Sequence, residues 1–149
     1  MKKLTLLFVT LLVGCSSGSK RTDGIPTLDL TLEQKVQKAN DAYDEARLER
    51  AEELFLKITK EKPKLQEAWL KLGNIYVRQT RMKAAIRCFE EAIKLDNEDG
   101  RAWYNLALAK VKQATLILET AEQIIPQDSQ YQHYIKGLHQ RLIQKTKRD

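Results

Sequence analysis

Between residues 101 and 125 the apolar positions Trp103, Ala107, Val111, Ala114, Leu118, Ala121 and Ile125 follow one another at intervals of 4, 4, 3, 4, 3 and 4. That is the period of one helix face, and no Gly or Pro interrupts it, so the pattern predicts a single helix over 100–125, roughly 39 Å long. Its rival is a tight helical hairpin near Lys112-Gln113. Pro126-Gln127-Asp128 stops the run, and Ser129-x-x-Gln132 can cap another helix over 130–146. There Tyr131, Tyr134 or Ile135, Leu138 and Leu142 fall on one face, with Lys136, Arg141 and Lys145 largely off it. Upstream, Thr31-x-x-Gln34 has the form of a capping box and predicts a helix start after Thr31.

The stretch between these regions carries a sharper pattern. It reads Trp69-x-x-Leu72-Gly73-x-x-Tyr76, then Ala85-x-x-x-Phe89, then Ala92, with a turn after Leu95. Order and spacing resemble the tetratricopeptide repeat, a 34-residue helix–turn–helix unit, with Asn97 in place of the closing proline. Counting back 34 gives a worn copy, in which Ala39, Ala51, Leu54, Phe55 and Pro63 answer to Gly73, Ala85, Cys88, Phe89 and Asn97. Lys35 and Ala42 replace Trp69 and Tyr76, as befits a terminal unit with one face in water. Counting forward, Trp103 and Leu106 keep the period, and Asp99 can cap the helix ahead of them. Ala114, Leu118, Ala121 and Pro126 then come 29 residues after their counterparts, so five residues are missing at the turn.

The resemblance implies an all-α fold: a short superhelix of antiparallel helix hairpins, ending in a long helix and an amphipathic C-terminal helix. Its expected divisions are repeat one at 32–65, repeat two at 66–99, a modified third unit at 100–126 and a closing helix at 130–146, together a domain over 31–146. Repeats of this family bind protein or peptide in the groove lined by the first helix of each pair. By that resemblance the candidate groove residues are Asn40, Tyr43, Asn74, Arg78, Arg101, Tyr104 and Asn105, with Asp44, Leu70, Lys71, Val77, Leu108 and Lys112 alongside. Such side chains can hydrogen-bond a peptide backbone or hold a carboxylate. A carboxylate clamp of the kind some relatives use is matched only in part. Asn40 and Arg101 fit it, whereas Val36, Lys71 and Asn105 do not. The bland reading of these side chains is ordinary polar surface.

The first residues have a different character. MKKLTLLFVTLLVGC joins a basic start to an apolar run of about ten residues, too short to span a bilayer. It reads as a signal peptide over 1–14. Its end, Leu12-Val13-Gly14-Cys15, resembles the lipobox of bacterial lipoproteins, which implies a covalent lipid on Cys15 and anchorage to a membrane. Residues 15–30 then read as the lipidated cysteine and a flexible tether rich in Ser and Gly. Ser16 after the cysteine resembles outer-membrane cargo facing the periplasm, in a bacterium with two membranes.

Composition adds little. Charged residues make up 31% of the 149, and Gly and Pro are few, which suits a helical protein. The net charge of +6 falls to +4 without Lys2 and Lys3, and no nucleic-acid or phosphate motif accompanies it, so nucleic acid is not an expected partner. His133 and His139 are six apart, on different helix faces, so no metal site is expected, and no catalytic arrangement stands out. Cys88 reads as a small core residue. Apart from the lipid no cofactor is expected, and an enzyme is not. The reading is a lipid-anchored adaptor or assembly factor of the bacterial envelope, similar in layout to accessory lipoproteins of pilus and secretion systems. Its alternative is a structural lipoprotein that associates with copies of itself and binds no peptide.

Overall fold

The computed structural model describes residues 30–146. The expectations for the leader, Cys15 and most of the tether lie outside the described residues. Six helices follow in order: α1 (Leu32–Asp44), α2 (Leu48–Glu61), α3 (Gln66–Arg78), α4 (Met82–Leu95), α5 (Gly100–Ile124) and α6 (Gln130–Thr146). Each packs on its sequence neighbours, and α3 also meets α5. The fold is therefore all-α, built as a row of helix hairpins in which each unit leans on the next. Of the two alternatives for the third unit, the continuous helix is the one observed. No hairpin forms at Lys112-Gln113.

Local chemistry explains the boundaries. Thr31 Oγ1 accepts from the Gln34 amide at 3.3 Å while Gln34 Oε1 accepts from the Thr31 amide at 2.9 Å, a reciprocal cap for α1. The turns of the first two hairpins are the same turn 34 residues apart. Ala46 and Thr80 take left-handed backbone (φ 57° and 61°). The amides of Arg47 and Arg81 close each turn on the carbonyls of Ala42 and Tyr76, at 2.9 and 2.8 Å. This satisfies helix-end carbonyls in a Schellman arrangement, with residues other than glycine at the strained position. The links between units repeat as well. The indole N–H of Trp69 donates to the Pro63 carbonyl (2.9 Å) and that of Trp103 to the Asn97 carbonyl (3.0 Å).

The core is continuous from α1 to the first half of α5. Phe55 and Phe89 are its largest fully buried side chains, with Ile58, Leu72 and Ile75 around them. Phe89 lies so close to α3 that a Cβ on Gly73 would come within 3 Å of three ring carbons. Glycine is needed there for close approach of ring to backbone. In the first hairpin Ala39 takes the same place and is fully buried, as Phe55 is. Cys88 is buried beside Phe89, and burial pushes its thiol up to about 12.

The third unit is built differently from its sequence pattern. In α5 the buried residues are Ala102, Leu106 and Ala109, not the expected stripe, and Trp103 is 52% exposed. Ala107 is exposed too, whereas its counterpart Gly73 is buried. In the second hairpin α4 packs on the corresponding face of α3. Here the returning helix is α6, whose hydrogen bonds to α5 and its end fall at Glu122 and Ile125. The face of α6 that packs keeps Ile135 and Leu142 of the expected stripe and turns the rest of it outward. Gln132 is buried, and Ile135, His139, Leu142 and Ile143 are half-buried, while Tyr131, Tyr134 and Leu138 point outward. Polar groups set that rotation. Gln132 Nε2 donates to the Glu122 and Ile125 carbonyls at the end of α5 (3.2 and 3.1 Å), and His139 Nδ1 sits 2.6 Å from Glu122 Oε1.

Candidate protein-binding face

The first helices of the three units, α1, α3 and α5, meet along one face, and the candidate groove residues fall into three groups there. Tyr43 and Arg78 form the first. The Arg78 guanidinium lies 4.8 Å from the centre of the Tyr43 ring, and its Nη1 donates to the Tyr43 carbonyl at 3.1 Å. Lys71 completes the group with its ammonium 5.4 Å from the same ring. Two cations thus share one aromatic ring, which holds them without neutralising them. Asn74 and Asn105 form the second, with Asn105 Nδ2 donating to Asn74 Oδ1 at 3.1 Å. This bond ties α5 to α3 and leaves the Asn74 amide nitrogen and the Asn105 oxygen for other partners.

Arg101 belongs to a third group and is already engaged. It pairs with Asp99 (2.8 Å) and Glu67 (3.0 Å), and Gln66 Nε2 donates to Asp99 at 2.7 Å. Asp99 also caps α5 by accepting from the Arg101 amide at 2.9 Å. The Arg101 guanidinium, together with that amide and Gln66, holds the Asp99 carboxyl at about 2, below its usual range. Asp99 in turn, with Glu67, raises the Arg101 guanidinium further above its ordinary value. Tyr104 stands at 58% exposure on the same helix.

Asn40 lines a cavity of about 440 Å3 between α1 and α3, with Val36, Leu65 and Phe55 as apolar walls and Glu67 and Lys71 at the rim. Its Oδ1 is buried without a hydrogen-bond partner. Lys71 joins this cavity to the Tyr43 group, so the face offers an apolar recess and two cations in sequence. Such a surface can seat an extended segment with one apolar side chain and a nearby carboxylate.

Glu67 was not among the residues singled out from the sequence, and the period itself would have found it. Glu67 and Arg101 are 34 apart, and equivalent positions on successive units are neighbours in a stacked array. The opposite side of the second turn holds a separate polar knot. Partial burial pushes the Glu52 carboxyl up, but hydrogen bonds from Arg81, Gln79 and Tyr76 outweigh it and hold it below its usual value. Burial and the nearby Glu52 push the Tyr76 phenol up to about 12. These contacts brace the α2–α3 junction and line no recess on the candidate face. His133 packs edge-on to Tyr134, away from His139, and among the described residues no three His, Cys, Asp or Glu side chains converge as metal ligands.

Comparison with known proteins agrees with this architecture. The family described as "Tetratricopeptide repeat" matches residues 36–87, and one described as "TPR repeat" matches residues 73–113. The chain is 26% identical over 69 residues to the protein O-mannosyl-transferase TMTC3 of Homo sapiens, and equally to that of Mus musculus. The match covers 46% of this chain and 8% of each of those proteins. Among solved structures, the TPR2B-domain:pHsp70 complex of yeast Sti1 superposes with a TM-score of 0.54 at 17% identity, covering 76% of this chain and 97% of that one. Domains of this type are typically non-catalytic and serve protein–protein interaction. The chain carries tetratricopeptide repeats, whose matches together run over residues 36–113.

Proposed function

We propose that this protein is a membrane-anchored adaptor that holds an extended peptide segment of a partner protein along the α1–α3–α5 face. The observation that carries this is the recess between α1 and α3, where the unpartnered Asn40 Oδ1 lies beside Lys71 and the Tyr43–Arg78 stack. An apolar side chain would fill the recess, and a carboxylate would meet the two cations. The solved TPR2B domain of Sti1, in complex with pHsp70, supports the same class of ligand by likeness of fold. The Arg101 guanidinium contributes by ordering the start of α5, since two carboxylates already hold it.

The leader pattern ending in Cys15 supports a lipid anchor and a place in the bacterial envelope, at the outer membrane facing the periplasm. The layout supports a role in assembling pili, secretion systems or other envelope machinery. Cys15→Ser should abolish incorporation of labelled fatty acid, and equal labelling of parent and variant would contradict the anchor. For the face, a photocrosslinking side chain placed at Tyr43 or Asn74 should capture a partner in intact cells. Lys71→Glu with Arg78→Glu should remove that adduct. Equal capture from Lys57, on the exposed side of α2, would contradict the assignment.

A further inference from the structure

The recess between α1 and α3 opens where the chain enters the fold. Leu32, at the start of α1, lines that recess and also a second apolar pocket of about 420 Å3, formed with Pro63 and Leu65 of the α2–α3 link. Cations stand at both ends. Lys71 lines the recess and reaches the Tyr43 ring near the end of α1, while Lys62 and Lys64 flank the pocket at Leu32. Of the carboxylates in the two linings, Glu61 is held by Lys35 at 2.7 Å and Glu67 by Arg101 at 3.0 Å, which leaves Glu33 against three lysines. From Leu32 to Asn40 this track runs about 12 Å along α1.

The sequence just ahead of α1 has the complementary pattern. Residues 23–29 carry an apolar pair, Ile25 and Leu28, bracketed by two carboxylates, Asp23 and Asp29. Pro26 favours extended backbone at Ile25. Seven extended residues span up to about 25 Å, so they can cover the track once the chain reverses at Leu30. Leu30 is itself half-buried, so the chain enters α1 along the body of the domain. Attachment through so few residues gives an effective concentration on the order of millimolar, which holds even a segment of weak intrinsic affinity in place. We infer that residues 23–29 lie in the α1–α3 recess as the chain's own ligand. Ile25 and Leu28 meet the apolar walls, Asp23 meets Lys71, and Asp29 meets Lys62 and Lys64. A partner segment must displace this strap, so the resting adaptor is closed and selects partners that outcompete a tethered segment. The strap rests on the adaptor reading for that consequence, because both assign a peptide segment to the same recess.

Thiol alkylation of the full chain, mapped by mass spectrometry, reads occupancy of the recess. Val36→Cys, in the recess wall, should react slowly with iodoacetamide, whereas Lys57→Cys, on the exposed side of α2, should react freely. Cys88 is buried and does not compete. Ile25→Ser with Leu28→Ser should speed alkylation of Val36→Cys at least about threefold and leave Lys57→Cys unchanged. A free peptide of residues 23–29 at millimolar concentration should slow it again. An unchanged rate at Val36→Cys would overturn the strap. So would equal acceleration at both sites, which would trace the effect to the fold as a whole. The same serine pair should raise partner capture by a photocrosslinker at Asn74 several-fold. Capture at Asn74 beside a freely reactive Val36→Cys would sink the strap alone. Protection of Val36→Cys by the strap, with no capture at Asn74, would uphold the strap and sink the adaptor reading.

Discussion

The second and third hairpins start from the same pattern and finish differently. In α3–α4 the Phe89 ring closes over Gly73, and the turn at Thr80 brings α4 straight back. In α5–α6 the equivalent residues Trp103 and Ala107 are bare, and the position 34 after Thr80 is Ala114, in mid-helix. Losing five residues removed the left-handed corner. Because the stripes of the two former helices then fell into one helical period, the chain ran on and turned back only at Pro126. The deletion of a turn, more than any change of core residue, converts a closed repeat into a long helix with unpartnered faces.

Paired substitutions at repeat-equivalent positions sharpen that contrast, each followed by urea unfolding of wild type and variant. The largest difference is expected between Phe89→Ala and Leu118→Ala. The first opens a cavity in a sealed core and should cost about 3–5 kcal/mol, whereas the second, at a half-buried position, should cost about 1 kcal/mol. Equal losses would mean that the third unit is as tightly packed as the second. Next, Gly73→Ala should destabilise by about 1–3 kcal/mol, since the added methyl meets the Phe89 ring and the gain in helix propensity offsets only part of this. Ala107→Gly, at the bare counterpart, should cost only the propensity term of about 1 kcal/mol.

The turn itself gives a comparison of opposite sign. Thr80→Gly should stabilise by about 1 kcal/mol by relieving a β-branched residue of a left-handed backbone. Ala114→Gly, 34 residues later, should destabilise by a similar amount, because there the helix continues. A stabilising Ala114→Gly would contradict the unbroken helix through the third unit. The smallest effect concerns pH. The Asp99 carboxyl is depressed to about 2 from an ordinary 3.8, so its contribution to stability is present above about pH 4 and is lost as pH falls toward 2. Asp99→Asn should flatten the stability profile across that window and leave the profile above pH 5 parallel to wild type.

Much of this architecture was legible in the sequence, and the rest was hidden for identifiable reasons. The regular unit could be read because Trp69, Gly73, Ala85 and Phe89 are each required by close packing and recur at a fixed period. The unbroken helix over the third unit was legible in its stripe of apolar residues. What the stripe could not reveal was which helix would cover it. Trp103 and Ala107 look like core because their counterparts are, yet their exposure depends on how far α6 returns. The inward face of α6 was legible only in part: Ile135 and Leu142 turn in, whereas Tyr131, Tyr134 and Leu138 do not. The carbonyls ending α5 and the Glu122 side chain instead drew Gln132 and His139 inward. On the candidate face, the Tyr43–Arg78 and Asn74–Asn105 pairs follow from the stacking of successive units. The engagement of Arg101 by Glu67 and Asp99 needed the charge pattern to be read across the 34-residue period as well as along the helix.

The most direct test of the contrast is residue-resolved amide hydrogen exchange of the full chain. The α3 and α4 amides should exchange slowest, near the limit set by global unfolding. Protection should fall along α5 past Ala114 and be lowest in α6, whose packing is confined to one partner helix. Amides of α6 exchanging as slowly as those of α4 would show that the C-terminal hairpin is as closed as the regular repeat, and would contradict the account.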